Sequence, residues 1–142
     1  VRLQSLESTS LQNLKGNGQR ILYIEDESGV RSITEMALSK NGFYVVSVKN
    51  AQQALETFSQ ENGKFDLAFS DLVLPDLNGL DLVEKLLAKK PNLKVLLSSG
   101  FVDDKRYWSL IEEKGYKMLQ KPFSLTDLLQ AINKVFEEPK DD

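Results

Sequence analysis

Five polar side chains in this sequence stand at the ends of four short apolar runs, and together they could bind a metal ion and a phosphoryl group. They are Glu25, Asp26, Asp71, Ser99 and Lys121. A buried parallel strand is a continuous apolar run, and parallel α/β sheets place their ligand sites beyond the carboxyl ends of the strands. We therefore expect these side chains to meet at one edge of a single sheet.

The three acids suit a hard divalent cation. Carboxylates held close together repel one another, and Mg²⁺ or Mn²⁺ relieves that repulsion through oxygen ligands. Asp71 could then attack phosphorus, as carboxylates do when they form an aspartyl phosphate. The Lys121 ammonium and the Ser99 hydroxyl could bind phosphoryl oxygens.

The composition narrows the classes of function. The chain has 142 residues, which suits one domain, and its net charge of −3 argues against direct binding of nucleic acid. It contains no histidine, so Ser–His and Cys–His nucleophilic machinery is excluded and any metal must be held by oxygen. It also contains no cysteine, which fits a reducing compartment.

No apolar stretch reaches the length of a membrane span, and the first residues do not resemble a signal peptide. We expect a cytoplasmic domain that makes no membrane contact itself, although its parent protein could be membrane-anchored.

Apolar runs alternate with helical patterns from residue 20 onward. The predicted strands cover 20–24, 43–48, 66–70, 94–98 and 117–120. The predicted helices cover 28–40, 51–60, 79–89, 103–113 and 124–136. This alternation predicts an α/β fold with a parallel sheet, right-handed crossovers and helices on both faces.

Ser28 and Ser124 are candidate N-caps, and Asp127 would complete a capping box with Ser124. In the first helix, the residues expected to face the core are Val30, Ile33, Ala37 and Leu38. In the last helix, they are Leu125, Leu128, Leu129, Ile132 and Phe136. Residues 1–19 are expected to form a linker or N-terminal extension, 20–137 the domain, and 138–142 a flexible tail.

Four motifs resemble those of the receiver (response-regulator, CheY-like) domain of two-component signalling. They are ILYIEDE at 21–27, DLAFSDLVLPDLNG at 66–79, VLLSSGF at 95–101 and KPF at 121–123. The match runs from about residue 20 to 136 in the family's order and spacing. It implies a flavodoxin-like, doubly wound, five-stranded sheet with strand order 2-1-3-4-5.

The resemblance implies a role for each site residue. Asp71 would accept a phosphoryl group from a phosphohistidine, Ser99 would be the switch hydroxyl, and Lys121 would bind the phosphate. Asp26 would bind Mg²⁺ directly and Glu25 through a water. The backbone carbonyl of Val73 would complete the metal site. The donor would be a histidine kinase or a phosphotransfer domain, and a homodimer is possible.

Two positions depart from the common family pattern. Glu25 stands where many members have Asp, and Met118 stands where many carry an aromatic residue on strand five. The signal would then pass through a softer rearrangement of the face formed by helix 4, strand 5 and helix 5. Trp108 is expected in the core or half-exposed. The Lys121–Pro122 bond could be cis or trans.

Several alternatives stay open at this point. The chain could be a small aspartate-nucleophile phosphatase, although Val73 stands where a second acid would be needed. It could be a degenerate receiver that acts only by protein contacts, or a flavin carrier, which the acidic loop disfavours. The residues of the last two motifs favour the C-terminal receiver of a hybrid histidine kinase over a stand-alone receiver. Whether the parent protein is an enzyme stays undecided.

Overall fold

The computed structural model describes residues 14–100 and 105–138, and for 105 and 106 it describes only the backbone. The strands are β1 Arg20–Ile24, β2 Tyr44–Val48, β3 Leu67–Asp71, β4 Lys94–Ser99 and β5 Lys117–Gln120. The helices are α1 Ser28–Lys40, α2 Ala51–Gln60, α3 Gly79–Lys89, α4 Lys105–Glu113 and α5 Leu125–Glu137. No helix in the described ranges is long and apolar enough to cross a membrane.

The five strands form one parallel sheet in the order β2-β1-β3-β4-β5. This order confirms the flavodoxin-like topology that the resemblance to receiver domains implies. The register pairs Ile24 with Ser70, Asp71 with Ser98, and Ser99 with Gln120. Glu25 and Lys121 each follow the last residue of a strand, so the register carries the predicted site residues to the same carboxyl edge.

Successive strand residues face opposite sides of the sheet, and this alternation divides the core. We call the side packed under α1 and α5 the α1–α5 core; its larger members include Ile21, Tyr23, Phe69, Leu96 and Leu129. The opposite side packs against α2 and α3 through residues such as Leu22, Ala54, Phe58 and Leu82. Beside it lies the α4 cluster, formed by Leu72, Leu80, Val83, Val95, Leu97 and Ile111.

Side-chain caps start three of the helices. The Asn50 and Asn78 side chains accept backbone N–H groups of α2 and α3, each at 2.8 Å. At α5, Ser124 accepts the Asp127 N–H at 3.0 Å, and the Asp127 carboxylate accepts the Ser124 N–H. This reciprocal pair is the predicted capping box.

Three details of the predicted helices are wrong. Ser28 is the first residue of α1, and the N-cap is Glu27, whose side chain makes no capping hydrogen bond. Ile33 is 71% exposed, because α1 turns Thr34 and Leu38 toward the sheet. Leu125 is 40% exposed, and Val135 is buried in α5 although the prediction omitted it.

Part of the predicted N-terminal linker packs against the domain. Asn133 of α5 donates to the Leu14 carbonyl at 2.7 Å, and the Gly16 N–H donates to the Asn41 carbonyl at 2.7 Å. A side chain at Gly16 would meet the Phe43 ring at 2.6 Å, so this close approach requires glycine. The rest of the predicted linker (1–13), residues 101–104, where the fourth helix was predicted to begin, and tail residues 139–142 lie outside the described residues.

Candidate functional site

Three carboxylates converge at the carboxyl edge of the sheet. Glu25 follows β1, Asp26 comes next, and Asp71 ends β3. One oxygen from each lies within 4.8 Å of the other two. Glu25 is 1% exposed and Asp71 8%, whereas Asp26 is open to solvent. Two of the three charges are therefore buried and need compensation.

Lys121 supplies that compensation. Its Nζ donates to Glu25 Oε1 and, at 3.0 Å, to Asp71 Oδ2. Burial lowers the pKa of Lys121, but the hydrogen bonds to the Glu25 and Asp71 carboxylates outweigh burial and hold that pKa above its ordinary value. The ammonium therefore stays charged at neutral pH. The Lys121–Pro122 peptide bond is cis.

Arg31 on α1 holds the backbone of the acidic turn. Its Nη1 donates to the Glu25 carbonyl at 2.8 Å and to the Asp26 carbonyl at 3.3 Å. The Glu27 N–H donates to Glu25 Oε2 at 3.1 Å, which fixes the buried carboxylate. Arg31 was not predicted as a site residue. The available signal was a cation one helical turn beyond an acidic pair.

The backbone after Asp71 passes close to the start of α3. The Gly79 N–H donates to the Leu72 carbonyl at 2.7 Å. A Cβ at Gly79 would overlap the Asp71 carbonyl oxygen and lie 2.9 Å from Leu72 Cα. Gly79 is therefore a second residue of the site that the sequence analysis did not single out, since only glycine permits this packing.

The loop between β3 and α3 is tied to the neighbouring helix by Asp76. Its two carboxylate oxygens accept the Ala51 and Gln52 N–H groups of α2, each at 2.9 Å. Slight desolvation raises the pKa of Asp76, but these backbone hydrogen bonds hold it below its ordinary value. The same loop carries Val73, whose N–H lies 3.4 Å from Asp71 Oδ1.

Ser99 is buried at the end of β4 and lines the same cleft as Asp26, Asp71 and Lys121. The cleft has a volume of about 670 Å³, and Val73 also lines it. The structure thus brings together all six predicted site residues. Tyr107 and Trp108 of α4 also line the cleft, and neither was predicted as a site residue.

The donor set fits a hard divalent cation. Three carboxylates within reach of one another, one of them exposed, match the oxygen ligands and partial hydration that Mg²⁺ prefers. Mn²⁺ accepts the same ligands.

Comparison with known proteins agrees with this geometry. The family model described as "response regulator receiver domain" matches residues 21–133. The chain belongs to the response regulator receiver domain family. The five-stranded order is therefore that of a receiver domain of two-component signalling.

Individual relatives of this receiver domain differ in overall length. It is 32% identical to the response regulator receiver protein CpdR of Brucella abortus, covering 82% of this chain and 96% of that protein. It is 30% identical to the sensor kinase CckA of the same organism, covering 83% of this chain but only 12% of that protein. Among solved structures, the non-phosphorylated HemR receiver domain from Leptospira biflexa gives a TM-score of 0.75 at 27% identity, covering 87% of this chain and 98% of that one.

Proposed function

We propose that this receiver domain accepts a phosphoryl group from a phosphohistidine onto Asp71 in a reaction that depends on Mg²⁺. The observation that carries the proposal is the position of the Asp71 carboxylate, which is buried at the base of a cleft and held between two acids and one ammonium. Such a carboxylate is oriented for attack and is exposed to little competing water.

In the proposed transfer, an Asp71 carboxylate oxygen forms a bond to phosphorus as the donor's phosphorus–nitrogen bond breaks. The electron pair stays with the imidazole nitrogen, and the imidazole leaves neutral when its other nitrogen carries a proton. The product on Asp71 is an acyl phosphate. The sequence has no histidine, so the donor imidazole belongs to a partner outside it, a histidine kinase or a phosphotransfer domain.

The residues around Asp71 divide the work of stabilising the product. The Lys121 ammonium donates to Asp71 Oδ2 and can donate instead to a phosphoryl oxygen once Asp71 is phosphorylated. Ser99 opens onto the same cleft and supplies a hydroxyl donor. A divalent cation held by Glu25, Asp26, Asp71 and the Val73 carbonyl would neutralise charge on the phosphoryl group.

Phosphorylation can be tested with a small phosphodonor. Acetyl phosphate with Mg²⁺ should add one acid-labile phosphoryl group, seen by intact mass, and Asp71→Asn should abolish the addition. Asp66→Asn is the matched control, because Asp66 precedes the same strand and its carboxylate accepts the Arg20 N–H at the opposite edge. An unchanged wild-type mass, or equal labelling of Asp71→Asn, would refute the proposal.

The metal site can be tested by thermal unfolding. Millimolar Mg²⁺ should raise the Tm of the wild type and of Asp66→Asn equally, because a ligand that binds only the folded state stabilises it. Asp71→Asn should gain less from Mg²⁺, since one of its ligands has lost its charge. In metal-free buffer, Asp71→Asn should be more stable than the wild type because the cluster loses one of three repelling charges. Equal Tm values under all conditions would contradict a clustered acid site.

The parent protein is a further proposal. We favour the C-terminal receiver of a hybrid histidine kinase, a choice supported by similarity to the sensor kinase CckA. Similarity to the short receiver protein CpdR keeps the stand-alone arrangement as the alternative. The coding sequence on either side of this chain would decide between them.

A further inference from the structure

Two aromatic residues of α4, Tyr107 and Trp108, line the cleft that contains Asp26 and Asp71. The apolar residues Val73, Leu74 and Pro75 of the β3–α3 loop line the same cleft. Trp108 is half-buried, and it is the only tryptophan of the chain.

The Trp108 indole has an unsatisfied donor. Its Nε1 is shielded from solvent and has no hydrogen-bond partner within residues 14–100 and 105–138. An indole N–H is a donor only, and burying it without an acceptor costs free energy that a new acceptor would recover. The unphosphorylated domain therefore has a buried N–H group without an acceptor in a residue that lines the cleft.

The direction of α4 explains why Trp108 reaches this cleft. In a βαβ unit the helix runs opposite to its strands, so α4 begins at the carboxyl edge of the sheet. Helical side chains lean toward the helix N-terminus. Trp108 lies in the first turn of α4 and therefore leans toward the edge where Asp71 lies.

The strand beside α4 lacks a comparable group. Met118 on β5 is half-buried against the α4 cluster, and its side chain has no hydrogen-bond donor. Tyr116, which precedes it, is already engaged, since its hydroxyl donates to Glu84 Oε2 at 2.8 Å. Tyr107 and Trp108 both line the described part of the cleft, and of these two residues Trp108 is the one with a buried donor that has no hydrogen-bond partner.

We propose that Trp108 is an additional hydrogen-bond donor of the phosphorylated site, whose Nε1–H gains a phosphoryl oxygen as acceptor and thereby couples α4 to the state of Asp71. This inference rests on the proposed function. It assigns to α4 the coupling that an aromatic residue on β5 would otherwise provide.

The single tryptophan gives a direct test by NMR. Uniformly ¹⁵N-labelled protein shows one indole N–H resonance, and beryllofluoride with Mg²⁺ serves as the analogue of the phosphoryl group. ¹⁹F signals report separately whether beryllofluoride occupies the site. With the site occupied, the indole proton should shift downfield and exchange more slowly with solvent. An indole resonance that does not move while the site is occupied overturns the inference.

A variant supplies the second measurement. Trp108→Phe keeps an aromatic ring but removes the donor, so its Kd for beryllofluoride should rise about fivefold, the value of one ordinary hydrogen bond. Tyr116→Phe is the control, because it removes a hydroxyl from the α4 cluster outside the cleft and should leave this Kd unchanged. An unchanged Kd in Trp108→Phe also overturns the inference. Failure of beryllofluoride to bind the wild type would instead refute the proposed function, and the inference with it.

Discussion

Stacked aromatic rings support the site on the α1–α5 side of the sheet, whereas Met118 and the aromatic residues on the α4 side are only partly buried. Tyr23 and Phe69 stack with ring centroids 4.9 Å apart, and Phe123 lies 6.1 Å from Phe69. On the other side, Met118 and Tyr107 pack only partly buried against the α4 cluster. Rings held on both faces have little freedom, while methionine adapts its shape readily. The difference indicates that structural change after phosphorylation should occur on the α4 side.

The largest expected effect compares one residue from each side. Phe69→Ala should destabilise the domain by about 3–5 kcal/mol, because a fully buried ring leaves a cavity. Met118→Ala should cost about 1–2 kcal/mol, since that side chain is only half-buried. Urea unfolding measures both values. Equal losses would mean that the two sides support the site equally.

A smaller effect concerns the backbone beside Asp71. Gly79→Ala should destabilise by about 1–3 kcal/mol, because the added methyl overlaps the Asp71 carbonyl. Gly100→Ala is the control on the β4 side of the cleft, where a Cβ would meet Lys121 Cδ at 4.0 Å, an ordinary contact. That variant should stay within about 0.5 kcal/mol of the wild type. Thermal unfolding that ranks the two variants in the opposite order would contradict the close approach.

The smallest effect comes from two tyrosine hydroxyls, one on each side. The Tyr23 hydroxyl is buried beside Thr34 but makes no hydrogen bond of normal geometry to the described residues, so Tyr23→Phe should be neutral or stabilising by up to about 1 kcal/mol. Tyr116→Phe loses the bond to Glu84 and should cost about 1 kcal/mol. Chemical denaturation at neutral pH measures the change in unfolding free energy of each variant. Changes of opposite sign would support the difference between the two sides, and two equal losses of stability would refute it.

Both tyrosines also predict a loss of stability in alkali. Burial raises the pKa of Tyr23 to about 12. The pKa of Tyr116 is also raised to about 12, mainly by burial and additionally by its hydrogen bond to Glu84. A raised folded-state pKa gives stability that is complete below the unfolded value near 10 and is lost as the pH rises toward 12. Each Phe variant should therefore lose less stability than the wild type between pH 10 and 12.

The sequence was sufficient to predict the fold and the meeting of the site residues, because strand runs and their polar ends follow a regular pattern. It could not separate a core face from an exposed apolar face on α1. Ile33 follows the helical period of Val30 and Ala37, yet it lines a surface groove with Phe123, whereas Thr34, four residues before Leu38, is buried. Periodicity fixes which residues share a face but does not fix how far the helix is rotated about its axis.

Two contacts of the site were not predicted. Arg31 stands close to the acidic pair in the sequence, but its acceptors are backbone carbonyls, which every residue carries, so its position alone is a weak signal. Trp108 reaches the cleft because of the position of α4, which a pattern of single residues does not give. The roles assigned to Asp71, Ser99, Lys121 and the metal ligands stay predictions until the experiments above are done.

The contact between Leu14 and Asn133 has a consequence for any tether. Residues 14–18 are held at the amino edge of the sheet, and the carbonyl of Glu138 accepts a hydrogen bond from Lys94, the first residue of β4, at the same edge. Both ends of the described chain therefore lie at the edge opposite Asp71, about one strand length, roughly 16 Å, away along the strand direction. A phosphodonor domain joined to either end must reach around the receiver domain to contact the cleft. The length of the linker would therefore set the effective concentration of the donor at the cleft.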